Sequence, residues 1–436
     1  MLQPIKNQQN ILEKLKIEQL NPMQEEALEV IQSNTDVVLL SPTGTGKTLA
    51  FLLPIIETLD PSCKEIQVLI LVPSRELALQ IEQVVREMGS GYKTNAIYGG
   101  RAGSKDKIDL KHRPAILIGT PGRIADRMRR NSFATEFIQT LVLDEFDKSL
   151  EIGFKDEMFE IIATLRNVKK RVLTSATNQI EIPSFVGLKN PVYIDYTNEG
   201  GSQLQLKTIL SPNKDKLETL AEALCHIGNQ PGIIFCNFKD TIQRVSDYLT
   251  ESGISHGCFY GGMEQMDRER ALIKFRNGTH QLLIATDLAA RGIDVPEIKF
   301  ILHYQLPNRS QEFTHRNGRT ARMKSDGTAY ILKWKNESLP DFIPTKEIEH
   351  LHQAALPTPS KWKTLFISGG RKDKISKGDV AGFLLKQGKL TNDELGIIEI
   401  KTDCVFVAVE STKIEQVISL VNNTKLKAKK VRVYEV

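Results

Sequence analysis

The sequence predicts an α/β chain of two tandem parallel-sheet units followed by a small α+β unit. Three observations predict it. Short apolar runs alternate with helically spaced segments from Asp36 to Asp195. The same alternation resumes after the Gly200-Gly201-Ser202 break. The last stretch of about 75 residues reads in the order βαββαβ, the pattern of a four-stranded antiparallel sheet backed by two helices. At 436 residues, 40% hydrophobic and 25% charged, the chain can form several domains, each with its own core. That composition excludes a disordered chain, a collagenous repeat and a disulfide-stapled miniprotein.

Residues 1–200 form the first unit. Val37-Val38-Leu39-Leu40, Val68 to Val72, Ile116-Leu117-Ile118, Leu141-Val142-Leu143 and Arg171-Val172-Leu173 read as its strands. They are apolar on both faces, as a parallel sheet covered by helices requires. Arg75 to Met88 has helical spacing. Residues 201–340 repeat the array, with strands at Gly232 to Phe235, Leu282 to Ala285, Phe300 to Leu302 and Thr328 to Leu332, and helices over Lys239 to Glu251 and Met266 to Phe275. Residues 341–361 read as an extended linker, the stretch from Pro340 to Pro359 holding four prolines (Pro340, Pro344, Pro357, Pro359). Residues 362–436 supply strand Thr364 to Ser368, helix Lys377 to Lys386, strands Gly396 to Ile400 and Cys404 to Val409, helix Lys413 to Asn422 and strand Lys430 to Tyr434.

The apolar runs are far too short to cross a bilayer, and Met1 to Asn7 lacks the apolar core of a secretion signal. Five cysteines without a C-x-x-C pair fit free thiols in a reducing compartment. These readings predict a cytoplasmic protein with no membrane partner. Residues 361–436 carry 15 Lys+Arg against 9 Asp+Glu, whereas the first 360 residues carry 43 against 44. The excess positive charge sits in the tail and points to an anionic partner there, with a merely soluble, lysine-rich module as the alternative.

Ser41-Pro42-Thr43-Gly44-Thr45-Gly46-Lys47-Thr48 lies between a predicted strand and a predicted helix, the setting of a phosphate-binding loop. Lys47 can reach the β- and γ-phosphates of ATP, and the Thr48 hydroxyl can ligate Mg²⁺. Asp144-Glu145-Phe146-Asp147 ends the strand Leu141 to Leu143. There a carboxylate faces the ligand crevice, so Asp144 can hold Mg²⁺ and Glu145 can orient the attacking water. In His315-Arg316-Asn317-Gly318-Arg319-Thr320-Ala321-Arg322, Arg319 and Arg322 share a face. They could neutralise charge on a transferring phosphoryl group; a basic surface helix is the alternative.

On these residues the chain resembles the DEAD-box RNA helicases, from residue 17 to about 335. Pro73 to Leu77 is similar to the family's PTREL motif, Gly99-Gly100 to GG, Thr120 to Arg123 to TPGR, Ser175-Ala176-Thr177 to SAT, and Gln265 with Arg268 to QxxR. Ala285 to Asp294 and His315 to Arg322 match two further motifs. Each string is weak alone; their joint occurrence in order is specific. The resemblance implies two RecA-like P-loop domains and an ATP-dependent RNA helicase with ATP and Mg²⁺ as cofactors. It implies that Gln24 reads the adenine edge and that Asp294 contacts ATP. Pro73, Arg75, Gly100, Thr120, Arg123, Gln265, Arg268, Thr286 and Asp287 would line the RNA backbone, and Asp147, Ser175, Thr177 and His315 would couple hydrolysis to closure. Phe146 stands where the family has alanine, which calls for a smaller neighbour or alters the hydrolysis geometry. No aromatic precedes Phe51, so an aliphatic such as Leu2 or Ile5 would replace the adenine-stacking ring. Ala321 replaces a glycine.

Leu365 to Val436 resembles the RRM-like domain of DbpA/YxiN-type helicases, most tellingly at Leu365 to Ile375. That resemblance implies a large-subunit ribosomal RNA hairpin and precursor ribosomal particles as partners, for an enzyme acting as a monomer. An RRM stacks bases on aromatics of its central strands. Only Phe366 and Phe406 are offered here, and either reads more readily as core. Arg371, Lys372, Lys374 and Lys377 form a basic turn that could bind RNA instead, while Lys425 to Lys430 reads as a solvated edge. Two other functions stay open on the residues: a translocating DNA helicase, and a nucleotide-gated RNA clamp that barely hydrolyses ATP.

Overall fold

A computed structural model describes residues 7–42, 44–100, 103–177, 181–197, 204–287, 298–320, 326–344 and 347–436. The chain divides into two compact units, the second of which includes the tail.

The first unit opens with helices α1 (Gln8–Leu15) and α2 (Pro22–Ser33). Its alternating elements are then β1 (Asp36–Leu40), α3 (Lys47–Glu57), β2 (Val68–Leu71), α4 (Arg75–Met88), β3 (Thr94–Ile97), α5 (Gly103–Lys111), β4 (Ile116–Gly119), α6 (Pro121–Arg129), β5 (Thr140–Leu143), α7 (Phe146–Ile152), α8 (Lys155–Thr164), β6 (Lys170–Ser175) and β7 (Val192–Asp195). The strands form one parallel sheet in the order β3-β4-β2-β5-β6-β1-β7. Alternate residues of each central strand feed separate cores: Val37, Leu39, Val68 and Ile70 in one, Val38, Leu40, Leu69 and Leu71 in the other. Helix α4 starts where Ser74 accepts from the Leu77 N–H and stops at Gly89 in a left-handed turn.

The second unit continues with β8 (Leu204–Ser211), α9 (Leu217–Ile227), β9 (Gly232–Phe235), α10 (Lys239–Glu251), β10 (Gly257–Phe259), α11 (Gln265–Arg276), β11 (Leu282–Ala285), β12 (Phe300–His303), α12 (Ser310–Asn317) and β13 (Gly327–Trp334). These strands are also parallel, in the order β10-β11-β9-β12-β13-β8. Among the described residues of these two parallel sheets, four strands lie outside the sequence-based prediction: β3, β7, β8 and β10. All four are sheet edges. An edge strand is partly exposed and needs no continuous apolar run, so it lacks the signal that marks the centre.

The tail comprises β14 (Trp362–Ser368), α13 (Lys377–Lys386), β15 (Leu395–Ile400), β16 (Cys404–Glu410), α14 (Ile414–Val421), the hairpin β17 (Lys425–Leu426) and β18 (Lys429–Lys430), and β19 (Val433–Glu435). The antiparallel order is β15-β16-β14-β19. Leu365, Ile367, Val405, Val407 and Val433 pack beneath the two helices against Val380, Leu384, Val417 and Val421. Strand alternation therefore places Phe366 and Phe406 on the opposite face, where Phe406 is buried, as expected of a core residue, and Phe366 is half-buried. There Phe366 stacks on Tyr434 at 4.7 Å and meets Phe406 edge-on at 5.5 Å. The expected strand from Lys430 also differs, because Lys429 and Lys430 pair back on Lys425 and Leu426 before the chain reaches the sheet.

The linker is extended but tied down. Ile348 bridges Thr208 in parallel register, Lys207 pairs with Glu349 at 2.7 Å, and the Ser360 hydroxyl donates to the Gly278 carbonyl. At its end the tail meets α11: Arg276 pairs with Glu399 at 2.8 Å, and Asn277 donates to Thr364 Oγ1 at 2.9 Å. Among the described residues, no helix is long and apolar enough to cross a membrane.

Candidate nucleotide and RNA sites

The glycine-rich loop runs from the end of β1 into α3. The Ser41 N–H donates to the Ser175 carbonyl at 3.0 Å, joining the loop to the SAT segment of β6. Within the loop, Ser41 Oγ donates to Thr45 Oγ1 at 2.7 Å, and Thr45 Oγ1 donates to the Pro42 carbonyl at 2.9 Å. Lys47 is buried, and its Nζ donates to the carbonyls of Ser41 and Pro42. Gly44 and Gly46 both have positive φ, and Thr48 follows in the first turn of α3, half-buried. Thr43 lies outside the described residues.

Gln24 clasps this loop. Its Nε2 donates to the Gly46 carbonyl at 3.3 Å, and its Oε1 accepts from the Asn21 N–H in a reciprocal cap of α2. Asn21 Nδ2 adds a bond to the Thr45 carbonyl at 3.0 Å. A Cβ on Gly46, at φ 88°, would lie 2.4 Å from Gln24 Nε2, so only glycine allows the approach. Asn21 went unassigned in the sequence because an asparagine before proline reads simply as a helix start. Leu2 and Ile5 lie outside the described residues.

Asp144 ends β5, fully enclosed. Burial and the neighbouring Glu145 push its carboxyl up to about 6, against the opposing pull of the Thr174 hydroxyl and Lys47. Glu145 caps α7 in a left-handed backbone conformation, φ 47° and ψ 50°. Its N–H donates to Thr174 Oγ1 at 3.1 Å, and that hydroxyl in turn donates to Asp144 Oδ1. Phe146 is fully buried in the core cluster that holds Leu143, Leu173 and Met158. Asp147 is buried, with Lys148 Nζ at 3.7 Å. Ser175 Oγ donates to the Thr177 carbonyl and accepts from its N–H, both at 3.1 Å, closing a local turn.

Pro73, Arg75, Thr120 and Arg123, expected from the sequence to line RNA, lie at the starts of α4 and α6. Pro73 is buried and Arg75 opens α4, its guanidinium over Gly100. Gly100 has φ 81°, and a Cβ there would lie 2.6 Å from Arg75 Nη1. Thr120 caps α6; Arg123 Nε pairs at 2.6 Å with the buried Asp106, a partner absent from the sequence reading. In the second unit Gln265 Nε2 donates to Glu269 at 3.3 Å, and Arg268 lies over the Phe259 ring at 4.9 Å. The Thr286 N–H donates to the Phe259 carbonyl, and Asp287 pairs with Arg316. Arg316 also donates to Asn237 Oδ1 and the Gln305 carbonyl, each at 2.7 Å, and is 1% exposed. His303 beside it is pushed down to about 3 by burial and by Arg316. His315 and Arg319 are buried in the same unit, while Asp294, Ala321 and Arg322 lie outside the described residues.

In the tail, Arg371, Lys372, Lys374 and Lys377 are all exposed. The neighbouring acids are already paired: Lys429 holds Asp373 at 2.7 Å and Lys427 holds Asp379 at 2.6 Å. The side-chain bond from Lys427, with those of Ser376, pulls the Asp379 carboxyl down to about 2. The run expected as a solvated edge thus folds back as a hairpin on the basic turn. Among the described residues no His, Cys, Asp and Glu cluster of three or more could hold a metal ion.

A clasped glycine-rich loop, a buried acidic strand end and a repeated parallel sheet define a nucleoside triphosphate-driven protein, and the basic α+β tail gives it a polyanion to act on. Residues 21–184 match the DEAD/DEAH box helicase family, 215–324 the helicase conserved C-terminal domain, and 364–435 the DbpA RNA binding domain. The chain is 30% identical to the ATP-dependent RNA helicase DbpA of Escherichia coli, over 95% of this chain and 94% of that protein. It is 29% identical to DbpA of Bacillus subtilis, over 94% and 93%. Saccharomyces cerevisiae Dbp5 bound to RNA and ADP BeF3 superposes with a TM-score of 0.68 at 27% identity, over 76% of this chain and 88% of that one. Mss116 bound to ssRNA and UDP-BeF gives 0.67 at 28%, over 75% and 72%. This chain belongs to the DEAD-box ATP-dependent RNA helicases and carries a DbpA-type RNA-binding domain.

Proposed function

We propose that this helicase separates short RNA duplexes in large-subunit ribosomal RNA during ribosome assembly, anchored to an RNA hairpin by its tail. The observation that carries the reading is the exposed basic turn Arg371 to Lys377, whose acidic neighbours are already neutralised by Lys427 and Lys429. Cations so arranged meet phosphates without competition from Asp373 and Asp379. The enzyme would act as a cytoplasmic monomer.

Thr48 and Asp144 fit a Mg²⁺ ion, which prefers hard oxygen ligands. The fit also answers an electrostatic deficit, since the enclosed Asp144 is held up to about 6 and gains from a cation. Bound with ATP, Mg²⁺ would neutralise charge on the β- and γ-phosphates. Lys47 would exchange the carbonyls of Ser41 and Pro42 for phosphate oxygens, and Gln24 would present its amide to the base. Glu145 would orient the attacking water, and Arg319 and Arg322 would supply guanidiniums to the transferring group. Pro73, Arg75, Gly100, Thr120, Arg123, Gln265, Arg268, Thr286 and Asp287 would meet sugar and phosphate rather than bases, which suits action on many sequences. Asp147, Ser175, Thr177 and His315 would link hydrolysis to RNA release. Hydrolysis would end each strand separation.

The test is the triple variant Lys372→Glu, Lys374→Glu and Lys377→Glu. It should keep wild-type turnover at saturating generic RNA while losing preference for a large-subunit hairpin. Undiminished preference for that hairpin over a scrambled one would remove the anchoring role.

A further inference from the structure

We propose that Thr174 is a positioning residue of the hydrolytic centre: its one buried hydroxyl fixes the Asp144 carboxylate and the Glu145 backbone together. The inference rests on the assignment of Asp144 and Glu145 to hydrolysis. Strand register explains the placement. Leu143 of β5 is paired with Leu173 of β6, so Thr174 lies opposite Asp144, one step beyond the last paired residue. Thr174 is 0% exposed. Its Oγ1 spends its single proton on Asp144 Oδ1 and uses a lone pair to accept the Glu145 N–H at 3.1 Å.

Both bonds matter because of what they hold. Glu145 sits at φ 47° and ψ 50°, a left-handed conformation that costs a non-glycine residue about 1–2 kcal/mol and persists only where surroundings enforce it. The Thr174 hydroxyl anchors that bend at the peptide N–H, aiming the carboxylate that follows. The same oxygen pins one lobe of Asp144, leaving the orientation of the other set. Ser175 of the SAT segment turns its hydroxyl elsewhere, to the backbone of Thr177 two residues on. The positioning contact therefore belongs to the residue just before the motif, where a threonine in a buried strand reads as ordinary strand propensity.

The experiment compares Thr174→Val, which keeps the shape and removes the hydroxyl, with Thr174→Ser, which keeps the hydroxyl. Each full-length variant is assayed for RNA-stimulated phosphate release, for ATP KM, for binding of a fluorescent ADP analogue and for melting temperature. Losing a hydrogen bond to a charged group should lower kcat roughly tenfold or more in Thr174→Val. ATP KM, analogue affinity and melting temperature should stay near wild type, and Thr174→Ser should recover most of kcat. Wild-type kcat in Thr174→Val overturns the proposal. So does a loss in Thr174→Ser equal to that in Thr174→Val, or a fall in analogue binding and melting that tracks the fall in kcat. Glu145→Gln, run alongside, separates the two readings. If it is inactive while Thr174→Val is active, the positioning role alone fails; if both are fully active, the hydrolytic assignment falls and takes the positioning role with it.

Discussion

At the ends of β5 and β6 the first unit gathers Asp144, Glu145 and the nearby Lys47, whereas at the ends of β9, β11 and β12 the second unit gathers Asn237, Asp287, His303 and Arg316. The scaffolds are alike, each a parallel sheet with helices between its strands. Their charges are treated oppositely. In the second unit Arg316 is consumed by Asp287, Asn237 and the Gln305 carbonyl and lies over the Phe235 ring at 5.1 Å. In the first unit burial leaves Asp144 short of compensation and pushes it up to about 6. A strand end whose charges cancel internally stabilises a fold. One left with an excess of unmet charge is prepared for a ligand that brings the opposite sign.

If that contrast is right, removing charge from the first strand end should harm chemistry and spare the fold. Lys47→Ala and Glu145→Gln are each expected to lower RNA-stimulated phosphate release by about 10²–10⁴-fold with melting temperatures near wild type. Unchanged turnover in both would break the comparison at its first term. Removing charge from the second strand end should cost the fold stability. Arg316→Ala strands Asp287 and should cost about 3–5 kcal/mol of stability in urea unfolding. Wild-type unfolding with lost turnover would make Arg316 a ligand-facing group instead.

Much of this contrast was legible in the sequence, and the exceptions share a cause. Strands buried on both faces announce themselves as apolar runs, so the centres of both sheets were readable and the four edges were not. The glycine-rich loop and the Asp144-Glu145 pair were readable because their chemistry needs fixed residue types beside a strand. Thr174, Asn21 and Asp106 were not, since each acts through a neighbour that only the fold supplies. In the tail, period two does not say which face of the sheet lies under the helices, so the row that Phe366 and Phe406 share with Tyr434 emerges only through strand pairing.

A smaller effect should appear with pH in the second unit. His303 is fully buried and held at about 3, by burial first and by Arg316 second, so it stays neutral in the folded state. The unfolded chain binds a proton below about pH 6.5, which the folded chain refuses. Stability from this group is therefore intact above about 6.5 and declines by about 1.4 kcal/mol per pH unit on the way down toward 3. Urea unfolding of His303→Asn should show a flatter acid slope than wild type. An equal slope would mean that other groups set the acid limit.

The smallest expected effect sharpens the first term, because Gln24 holds the loop without carrying charge. Its Oε1 caps α2 and its Nε2 donates to Gly46, two jobs that a single substitution can divide. Gln24→Glu keeps the acceptor for the cap but sets an oxygen against the Gly46 carbonyl. It should leave the melting temperature unchanged and weaken fluorescent ADP binding by about tenfold, the worth of roughly one hydrogen bond turned unfavourable. Gln24→Ala loses the cap as well and should lower stability by about 1 kcal/mol. Equal melting for the two variants would show that α2 does not depend on this cap, and the loop would then be held by Asn21 and the Thr45 carbonyl instead.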